Sequence, residues 1–211
     1  MTKYILIGDS GHAKVIEDCI VANGNCVVAK LDDKYNTKFQ EGPYLKGPIS
    51  MVEELLSEET KVIISIGHNL IRSQIEERLA LSEDWYGIIK HPSAVISPSS
   101  SIGVGTVIMP NVVINANSMI GQHVILNTSS IIEHDCNIND FVHISPGAVL
   151  TGGVEVGTGT QIGAKTSVNP QVEIGKWSVV GAGSAVIRNI PEMVTVAGVP
   201  TTVIKKEGVI K

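Results

Sequence analysis

The sequence has few aromatic residues, few cysteines and no excess of positive charge, and each shortage excludes a class of protein. Aromatic side chains make up only 4% of the chain, so a hydrophobic core has to be built from Ile, Val, Leu and Ala. The three cysteines are an odd number without metal-binding spacing, which predicts reduced thiols and a cytoplasmic location. A net charge of −5 offers no basic surface for nucleic acid.

Long apolar segments are also absent. No run of about 18 residues lacks charged or turn-forming residues, so we expect no transmembrane helix and no insertion into a membrane. The first residues, MTKYILIGDSGH, hold a short apolar run that stops at a glycine. This pattern predicts a first strand rather than a signal peptide.

Residues 1–90 alternate between strand and helix patterns. Short apolar runs predict buried strands at 4–7, 27–31 and 61–66. Apolar residues at helical spacing follow the first strand and stop near Gly24, which favours a helix between the first two strands. This order predicts a small parallel sheet of Rossmann-like outline, in an α/β domain.

Two further helices have recognisable starts in the same half. The segment SMVE at 50–53 matches the Ser-x-x-Glu capping box and predicts a short helix through Leu56. Asn69 is expected to cap another helix through Ala80.

From residue 91 the pattern changes to a repeat of six residues. Every sixth residue from Ile96 to Val186 is Ile, Leu or Val, which makes sixteen consecutive anchors without an insertion. A strict period of six would put successive anchors on different faces of an α-helix, so a helix is excluded. The period instead predicts one short strand and one corner per hexad, with three hexads in each triangular coil and the coils stacked in parallel.

Two further columns accompany the anchors. Gly or Asn follows the anchor in ten hexads, for example at Gly103 and Asn115, and because both residue types tolerate a positive φ we expect the tight corners there. The residue two before each anchor is small or β-branched and is expected to point inward beside it. Cys136 belongs to this small column, so we expect it to be buried.

Four segments in and around the hexads carry a resemblance to a known family. They are ILIGDSGHAKVI at 5–16, LDD at 31–33, NTSSIIEHD at 127–135 and AGVPTTVIK at 197–205. Taken in this order, they resemble segments of the bacterial hexapeptide-repeat acetyltransferases that modify the 4-amino group of UDP- or dTDP-linked deoxy sugars. Sialic-acid O-acetyltransferases are close relatives of that family.

The resemblance implies the architecture and the partners. A nucleotide-sugar-binding α/β domain is expected over 1–90, and a left-handed parallel β-helix that carries the acyltransferase site is expected over 91–211. The family's members are usually homotrimers with active sites between subunits, and acetyl-CoA is the co-substrate. No metal is expected, because the histidines at 123, 134 and 143 lack the spacing of the zinc ligands of the γ-class carbonic anhydrases.

The resemblance also assigns roles on the catalytic coil. His134 matches the general base, a role that suits an imidazole titrating near working pH, and the adjacent Asp135 could orient its ring. Asn127 matches the position that contacts the substrate amine, and His143 the position near the acetyl group or the pantetheine of the cofactor. Gly152 matches a backbone N–H aimed at the thioester oxygen, which would stabilise a tetrahedral intermediate formed by direct attack.

Further residues of the repeat are candidates for cofactor binding. Ala164 and Ala182 match corner positions that line the pantetheine and adenine ends of the cofactor. Basic residues late in the repeat are candidates for its phosphates, although an ordinary surface position is favoured for each of them: Lys165, Lys176, Arg188 and Lys205. His123 is expected on the surface, without a function.

The N-terminal half is expected to hold the nucleotide sugar. Backbone N–H groups at the start of the first helix can bind a diphosphate, and the residues there that would line the diphosphate or the sugar are Ser10, Gly11 and His12. Asp32 and Asp33 end the second strand and could accept hydrogen bonds from the ribose or the base. Gly67 follows the third strand, at the same carboxyl edge of the sheet.

Two other functions remain open from the sequence. The protein could O-acetylate a sialic-acid-type sugar, in which case the acceptor would not need a nucleotide. It could also be a non-catalytic trimeric scaffold or sensor of sugar nucleotides, in which case no amino-sugar nucleotide would cause release of CoA.

Overall fold

The computed structural model describes residues 1–206, and the last five residues of the predicted second domain, 207–211, lie outside the described residues. Two bodies follow each other along the chain, a small α/β sheet and a long three-sided prism of short strands. Within the described range, no helix has the length and apolar character needed to cross a membrane.

The N-terminal body is a five-stranded sheet with two helices. Its elements are β1 Lys3–Ile7, α1 Gly11–Ala22, β2 Cys26–Leu31, β3 Phe39–Glu41, β4 Tyr44–Gly47, a 3₁₀ helix Ile49–Leu55, β5 Thr60–Ile64, α2 Asn69–Leu79 and a 3₁₀ turn Glu83–Trp85. The strand order is β3-β4-β2-β1-β5, and all pairs are parallel except the β3–β4 hairpin. The predicted strands β1, β2 and β5 and the helix α1 are therefore confirmed, whereas the hairpin was not predicted.

Both predicted helix starts in this body were wrong. The 3₁₀ helix begins at Ile49 after Pro48, whose fixed φ sets the entry of the chain, and no side chain caps it. Helix α2 is capped by His68, whose side chain accepts a 3.4 Å hydrogen bond from the N–H of Ile71. Asn69 does not cap because its buried amide is turned toward the prism instead.

Sixteen two-residue strands form the prism, and each ends at a predicted anchor. They are β7 Val95–Ile96, β8 Ser101–Ile102, β9 Val107–Ile108, β10 Val113–Ile114, β11 Met119–Ile120, β12 Ile125–Leu126, β13 Ile131–Ile132, β14 Asn137–Ile138, β15 His143–Ile144, β16 Val149–Leu150, β17 Glu155–Val156, β18 Gln161–Ile162, β19 Ser167–Val168, β20 Glu173–Ile174, β21 Val179–Val180 and β22 Ala185–Val186. A preceding strand, β6 Ile89–Lys90, and a closing hairpin, β23 Val194–Ala197 and β24 Thr202–Lys206, extend one face.

The strands stack into three parallel faces, which confirms the triangular coil. Face 1 runs through β6, β9, β12, β15, β18, β21 and β23; face 2 through β7, β10, β13, β16, β19 and β22; face 3 through β8, β11, β14, β17 and β20. Residues 18 apart lie side by side, as Val113 does with Ile131. We name the three corners by the faces they join, so the chain passes corner 1/2, then corner 2/3, then corner 3/1.

The anchors fill the prism. From Ile108 to Val186 every anchor is at most 3% exposed, and only Ile96 and Ile102 at the open end are partly buried. Cys136 is buried as predicted. Several hydroxyl groups in the small column donate to the carbonyl fifteen residues later, as Ser118 does to Glu133 at 2.7 Å, which satisfies these polar groups inside the core.

The corner residues differ from the prediction. Positive φ recurs every six residues from Gly105 to Gly183, three positions after the anchor, where it was expected one position after it. Glycine occurs after the anchors for a different reason. A Cβ on Gly157 would lie 2.5 Å from the backbone nitrogen of Lys176 on the next coil, so these glycines permit the close approach of stacked coils.

Helix α2 joins the N-terminal body to the prism at corner 3/1. Arg72 is 1% exposed and donates to the carbonyl oxygens of His123 at 2.8 Å and Phe141 at 2.7 Å. Asn69 donates to the carbonyl of Gly159 at 3.0 Å. These three carbonyls belong to equivalent residues of three successive coils, so the helix contacts the repeat itself rather than one loop.

His123 was expected on the surface and is instead buried, with 1% of its area exposed. The N-terminal body covers its corner, so the ring stacks on Phe141 at 5.3 Å and meets Tyr86 edge-on at 4.6 Å. Neither ring nitrogen has a hydrogen-bond partner within the described range. Burial, with a smaller effect of the Arg72 charge, lowers the pKa of His123 to about 4.

Buried neutral histidines make the stability of the protein depend on pH. His12, His123 and His143 each have a pKa lowered to about 4, with burial as the first cause. Their folded-state pKa lies below the unfolded value of about 6.5, so the unfolded chain takes up more protons as the pH falls between these values. The stability that these three histidines contribute is therefore fully present above about pH 6.5 and is lost progressively as the pH falls toward 4.

We expect His123→Phe to reduce this acid destabilisation by about a third, because it removes one of three such groups and keeps the aromatic stack. The measurement is the midpoint of urea unfolding at several pH values between 7 and 5. His91→Asn, at a histidine outside the contact between the two bodies, is the control. An equally steep pH dependence in His123→Phe and the parent protein would contradict the prediction.

Candidate active site

His134 and Asp135 form a hydrogen-bonded pair at corner 2/3. His134 directly precedes Asp135, which has a φ of 59°, and both side chains project into solvent with exposed fractions of 62% and 57%. The ring Nδ1 lies 2.7 Å from Oδ2 of Asp135. A carboxylate can only accept, so Nδ1 carries the proton and Nε2 is left with a free lone pair.

The carboxylate of Asp135 is itself held in place. Its other oxygen accepts a 3.2 Å hydrogen bond from Asn117, which occupies the same corner one coil earlier. The hydrogen bond from His134 and then that from Asn117 lower the pKa of Asp135. An ionised Asp135 is suited to orient the ring and to stabilise its protonated form.

Gly152 lies directly beside the His134 ring, at the equivalent position of the next coil. A Cβ at this residue would be 2.5 Å from Cε1 and 2.6 Å from Nε2 of His134, so only glycine leaves room for the imidazole. The N–H of Gly152 makes no hydrogen bond within residues 1–206. The corner therefore combines a ring nitrogen with a free lone pair and an unused backbone donor.

Asn127 and His143 form a second pair, at corner 1/2 and on face 1. The side-chain oxygen of Asn127 accepts from the N–H of Thr128 at 2.8 Å, which turns its NH₂ toward Nε2 of His143 at 3.1 Å. A hydrogen bond to the backbone of Gly67 engages the His143 ring from the N-terminal body. Burial first, then the charge of Arg72, lowers the pKa of His143 to about 4, so this ring is neutral.

The predicted nucleotide-sugar residues adjoin this second pair. His12 starts helix α1 and its ring centroid lies 6.3 Å from that of His143. Its Nε2 is buried without a hydrogen-bond partner in the described part of the chain, and burial lowers its pKa to about 4. Ser10 and Gly11 are exposed at the same turn, and a Cβ on Gly11 or Gly67 would meet no atom within 4 Å.

Asp32 and Asp33 lie at the same edge of the sheet but already have partners. Asp32 accepts from the backbone N–H of Asp9 at 2.8 Å and of Lys34 at 3.0 Å, so it fixes the turn after β1. Asp33 is on the surface and forms a two-contact ion pair with Arg78 at 2.9 and 3.2 Å.

Sequence reasoning missed a polar network beside this turn. Lys46 on β4 lies 2.8 Å from the carboxylate of Asp9, and the hydroxyl of Tyr35 donates to the same carboxylate at 2.6 Å. Burial alone would raise the pKa of Asp9, but these two hydrogen bonds outweigh it and hold the pKa below its usual value. A lysine between apolar residues of a strand is the signal that could have revealed the network.

Of the remaining candidates, Ala164 and Ala182 lie along corner 1/2 and Lys176 lies at corner 3/1. Ala164 and Ala182 occupy equivalent positions on successive coils, and a Cβ on Gly163 would lie 2.5 Å from the nitrogen of Ala182. Lys176 forms an exposed ion pair with Glu192. Within residues 1–206 there is no group of three or more metal-binding side chains.

The candidate site residues lie in two separate places in the structure. His134, Asp135 and Gly152 lie at corner 2/3, which is the corner opposite face 1 in a three-sided prism. His143, with the adjoining N-terminal turn, lies on face 1, and Asn127 follows face 1 at corner 1/2. One chain alone does not bring the two groups together.

Comparison with known proteins places the chain among sugar-modifying enzymes. Residues 3–79 match the family described as PglD N-terminal domain. A UDP-N-acetylbacillosamine N-acetyltransferase of Bacillus subtilis is 46% identical over 113 residues, which are 52% of this chain and 52% of that protein. The match thus spans about half the length of that curated relative.

Solved structures match almost the whole chain. The acetyltransferase domain of PglB from Neisseria gonorrhoeae is 35% identical with a TM-score of 0.87, over 97% of this chain and all of that chain. PerB from Caulobacter crescentus, solved in complex with CoA and GDP-perosamine, is 33% identical with a TM-score of 0.87, over 96% of this chain and 97% of that chain. The chain therefore belongs to the family of bacterial hexapeptide-repeat nucleotide-sugar acetyltransferases.

Proposed function

We propose that the protein transfers the acetyl group of acetyl-CoA to the 4-amino group of a nucleotide-linked amino-deoxy sugar, with UDP or dTDP as the nucleotide. The observation that carries this proposal is the His134–Asp135 pair beside the free N–H of Gly152. Such a corner has the base and the oxyanion donor that acyl transfer to an amine needs. The acetyl-CoA complex of the related PglB domain supports the choice of donor.

One protein group is assigned to each step of the proposed transfer. Nε2 of His134 takes the proton as the amine nitrogen attacks the thioester carbon, and Asp135 stabilises the resulting imidazolium. The N–H of Gly152 stabilises the tetrahedral oxyanion. Collapse breaks the carbon–sulfur bond, and the proton held by His134 passes to the departing thiolate. No covalent enzyme intermediate is needed, and the nearby Cys136 is buried with a raised pKa caused by that burial.

The acceptor binds at the carboxyl edge of the N-terminal sheet. Ser10 and Gly11 are exposed, a Cβ on Gly11 or Gly67 would meet no atom within 4 Å, and the unpartnered Nε2 of His12 is available to a polar atom of the sugar or diphosphate. Asp33 can exchange its surface ion pair with Arg78 for the ribose or base, whereas Asp32 acts by holding the turn. The relative PerB binds GDP-perosamine, so members of the family differ in nucleotide.

The active site is proposed to form between subunits of a homotrimer of left-handed β-helices. Face 2 presents an apolar stripe of aligned outward side chains, Val95, Val113, Ile131 and Val149. The two corners that carry the divided groups flank this face. Packing face 2 around a threefold axis therefore brings His134 of one subunit to Asn127 and His143 of the next. The donor's pantetheine and adenine then lie along Ala164 and Ala182.

A substrate panel tests the reaction class directly. Free thiol release from acetyl-CoA is measured with UDP-, dTDP- and GDP-linked 4-amino sugars and with a sialic-acid-type sugar. We expect release with at least one 4-amino sugar nucleotide and none with the corresponding sugar without its nucleotide. Release only with the sialic-acid-type sugar would replace this proposal by O-acetylation, and no release with any acceptor would favour a non-catalytic sensor.

We expect His134→Ala to lower kcat by about two to four orders of magnitude, as for loss of a general base. The control is His91→Ala, which removes a histidine outside both candidate groups and should leave kcat unchanged. Initial rates are followed by thiol release at saturating acetyl-CoA. A loss of less than about threefold would assign the proton transfer to another group.

We expect Val113→Glu to prevent trimer formation, because it places an unpaired charge in the proposed apolar contact. Activity at equal protein concentration should fall by at least about tenfold, since the divided groups then stay apart. Ser101→Glu, on the outside of face 3, is the control. Light scattering coupled to gel filtration gives the mass, and a trimer of undiminished stability in Val113→Glu would refute the role of face 2.

A further inference from the structure

Arg72 is a buried cation without an anionic partner. Arg72 is 1% exposed, and none of the ion pairs formed within residues 1–206 includes it. Burial alone lowers its pKa to about 9, so the group stays charged at neutral pH. A buried charge that meets only carbonyl and amide oxygens is costly, which suggests that its position serves a purpose beyond stability.

The acceptors of Arg72 come from both bodies of the protein. One terminal nitrogen donates to the carbonyls of Ile66 at 2.9 Å and Gly67 at 3.3 Å, in the turn after β5. The other donates to Phe141 at 2.7 Å, two residues before His143. The side chain thus holds the turn that contacts the proposed acceptor site against the strand that carries His143.

A lysine could not make these contacts. The planar guanidinium directs donors to opposite sides in a fixed geometry, whereas an ammonium presents a single compact group on a flexible stem. Asn69 adds to the fit, because it accepts from Arg72 at 2.9 Å and donates to the next coil. The shape of this one group, as well as its charge, therefore contributes to how the two bodies fit together.

We propose that Arg72 is a positioning residue for the acetyl transfer, which fixes the separation between the His12–Gly67 edge that receives the nucleotide sugar and the Asn127–His143 pair that receives the acetyl donor. This inference rests on the proposed function for its kinetic consequences. Its structural consequence, the fixed contact of His12 with His143, does not depend on that function.

The same side chain affects the protonation of the two histidines. The groups that face the His143 ring are Arg72 from α2, His12 from the start of α1, the amide of Asn127 and the backbone of Gly67. The positive charge of Arg72 adds to burial in lowering the pKa of both His12 and His143. Loss of that charge should raise both pKa values, so that the rings gain protons at a higher pH.

Two substitutions separate shape from charge. Arg72→Lys keeps the charge and loses the planar geometry, while Arg72→Gln loses both. Lys3→Gln removes a cation from the surface ion pair with Glu59, at the opposite edge of the same sheet, and is the matched control. Circular dichroism and gel filtration establish that each variant is folded before the other measurements.

The titration of His12 and His143 is followed by NMR of histidine-labelled protein, which needs no activity. We expect Arg72→Gln to move both midpoints to higher pH by at least half a unit, and Arg72→Lys and Lys3→Gln to leave them unchanged. Unchanged midpoints in a folded Arg72→Gln protein would overturn the electrostatic part of the inference, even if no sugar nucleotide proves to be a substrate.

Kinetics test the positioning part with the substrate found in the panel. We expect Arg72→Lys to lower kcat by about 10- to 100-fold, as for a misplacement of about 1 Å, with the KM for acetyl-CoA changed less than about threefold. A kcat of Arg72→Lys within twofold of the parent enzyme would overturn the positioning role.

Discussion

The parallel register between successive coils places the groups of the candidate site at corner 2/3. Because each coil takes 18 residues, a side chain there meets the residue 18 positions away. Asn117 reaches Asp135, and the ring of His134 lies beside Gly152. Helix α2 uses the same interval when it binds carbonyls of three successive coils. A single inserted residue in the repeat would separate these partners and turn anchors outward.

The same register explains why the prism could be predicted from the sequence and the way the N-terminal body packs on it could not. Each hexad has one large inward position, so sixteen aliphatic anchors identify the coil without any knowledge of distant contacts. The N-terminal body instead docks through Arg72 and Asn69 onto backbone carbonyls, which carry no signature in the sequence. His123 consequently reads as a surface residue, although Arg72 in the apolar stripe of Ile75 and Leu79 was a usable signal.

The two candidate groups show which parts of a site local sequence can define. The His134–Asp135 pair and Gly152 could be predicted from the sequence because they lie at fixed positions of the repeat. The placement of Asn127 at corner 1/2 and of His143 on face 1 follows only from counting strands around three faces. The division of the two groups between the edges of face 2, which carries an apolar stripe, is the reason for proposing a contact between subunits at that face.

Burial sorts the histidines of the chain into different chemical roles. His12, His123 and His143 are held neutral by their surroundings. If one of these rings took up a proton during turnover, its positive charge would be repelled by the Arg72 cation. His134 has the opposite environment: its Nε2 is open to solvent, its Nδ1 donates to a carboxylate, and a positive charge on the ring would be stabilised by Asp135. The carboxylate beside His134 suits the general-base role proposed for that residue, whereas burial favours the neutral form of His12, His123 and His143.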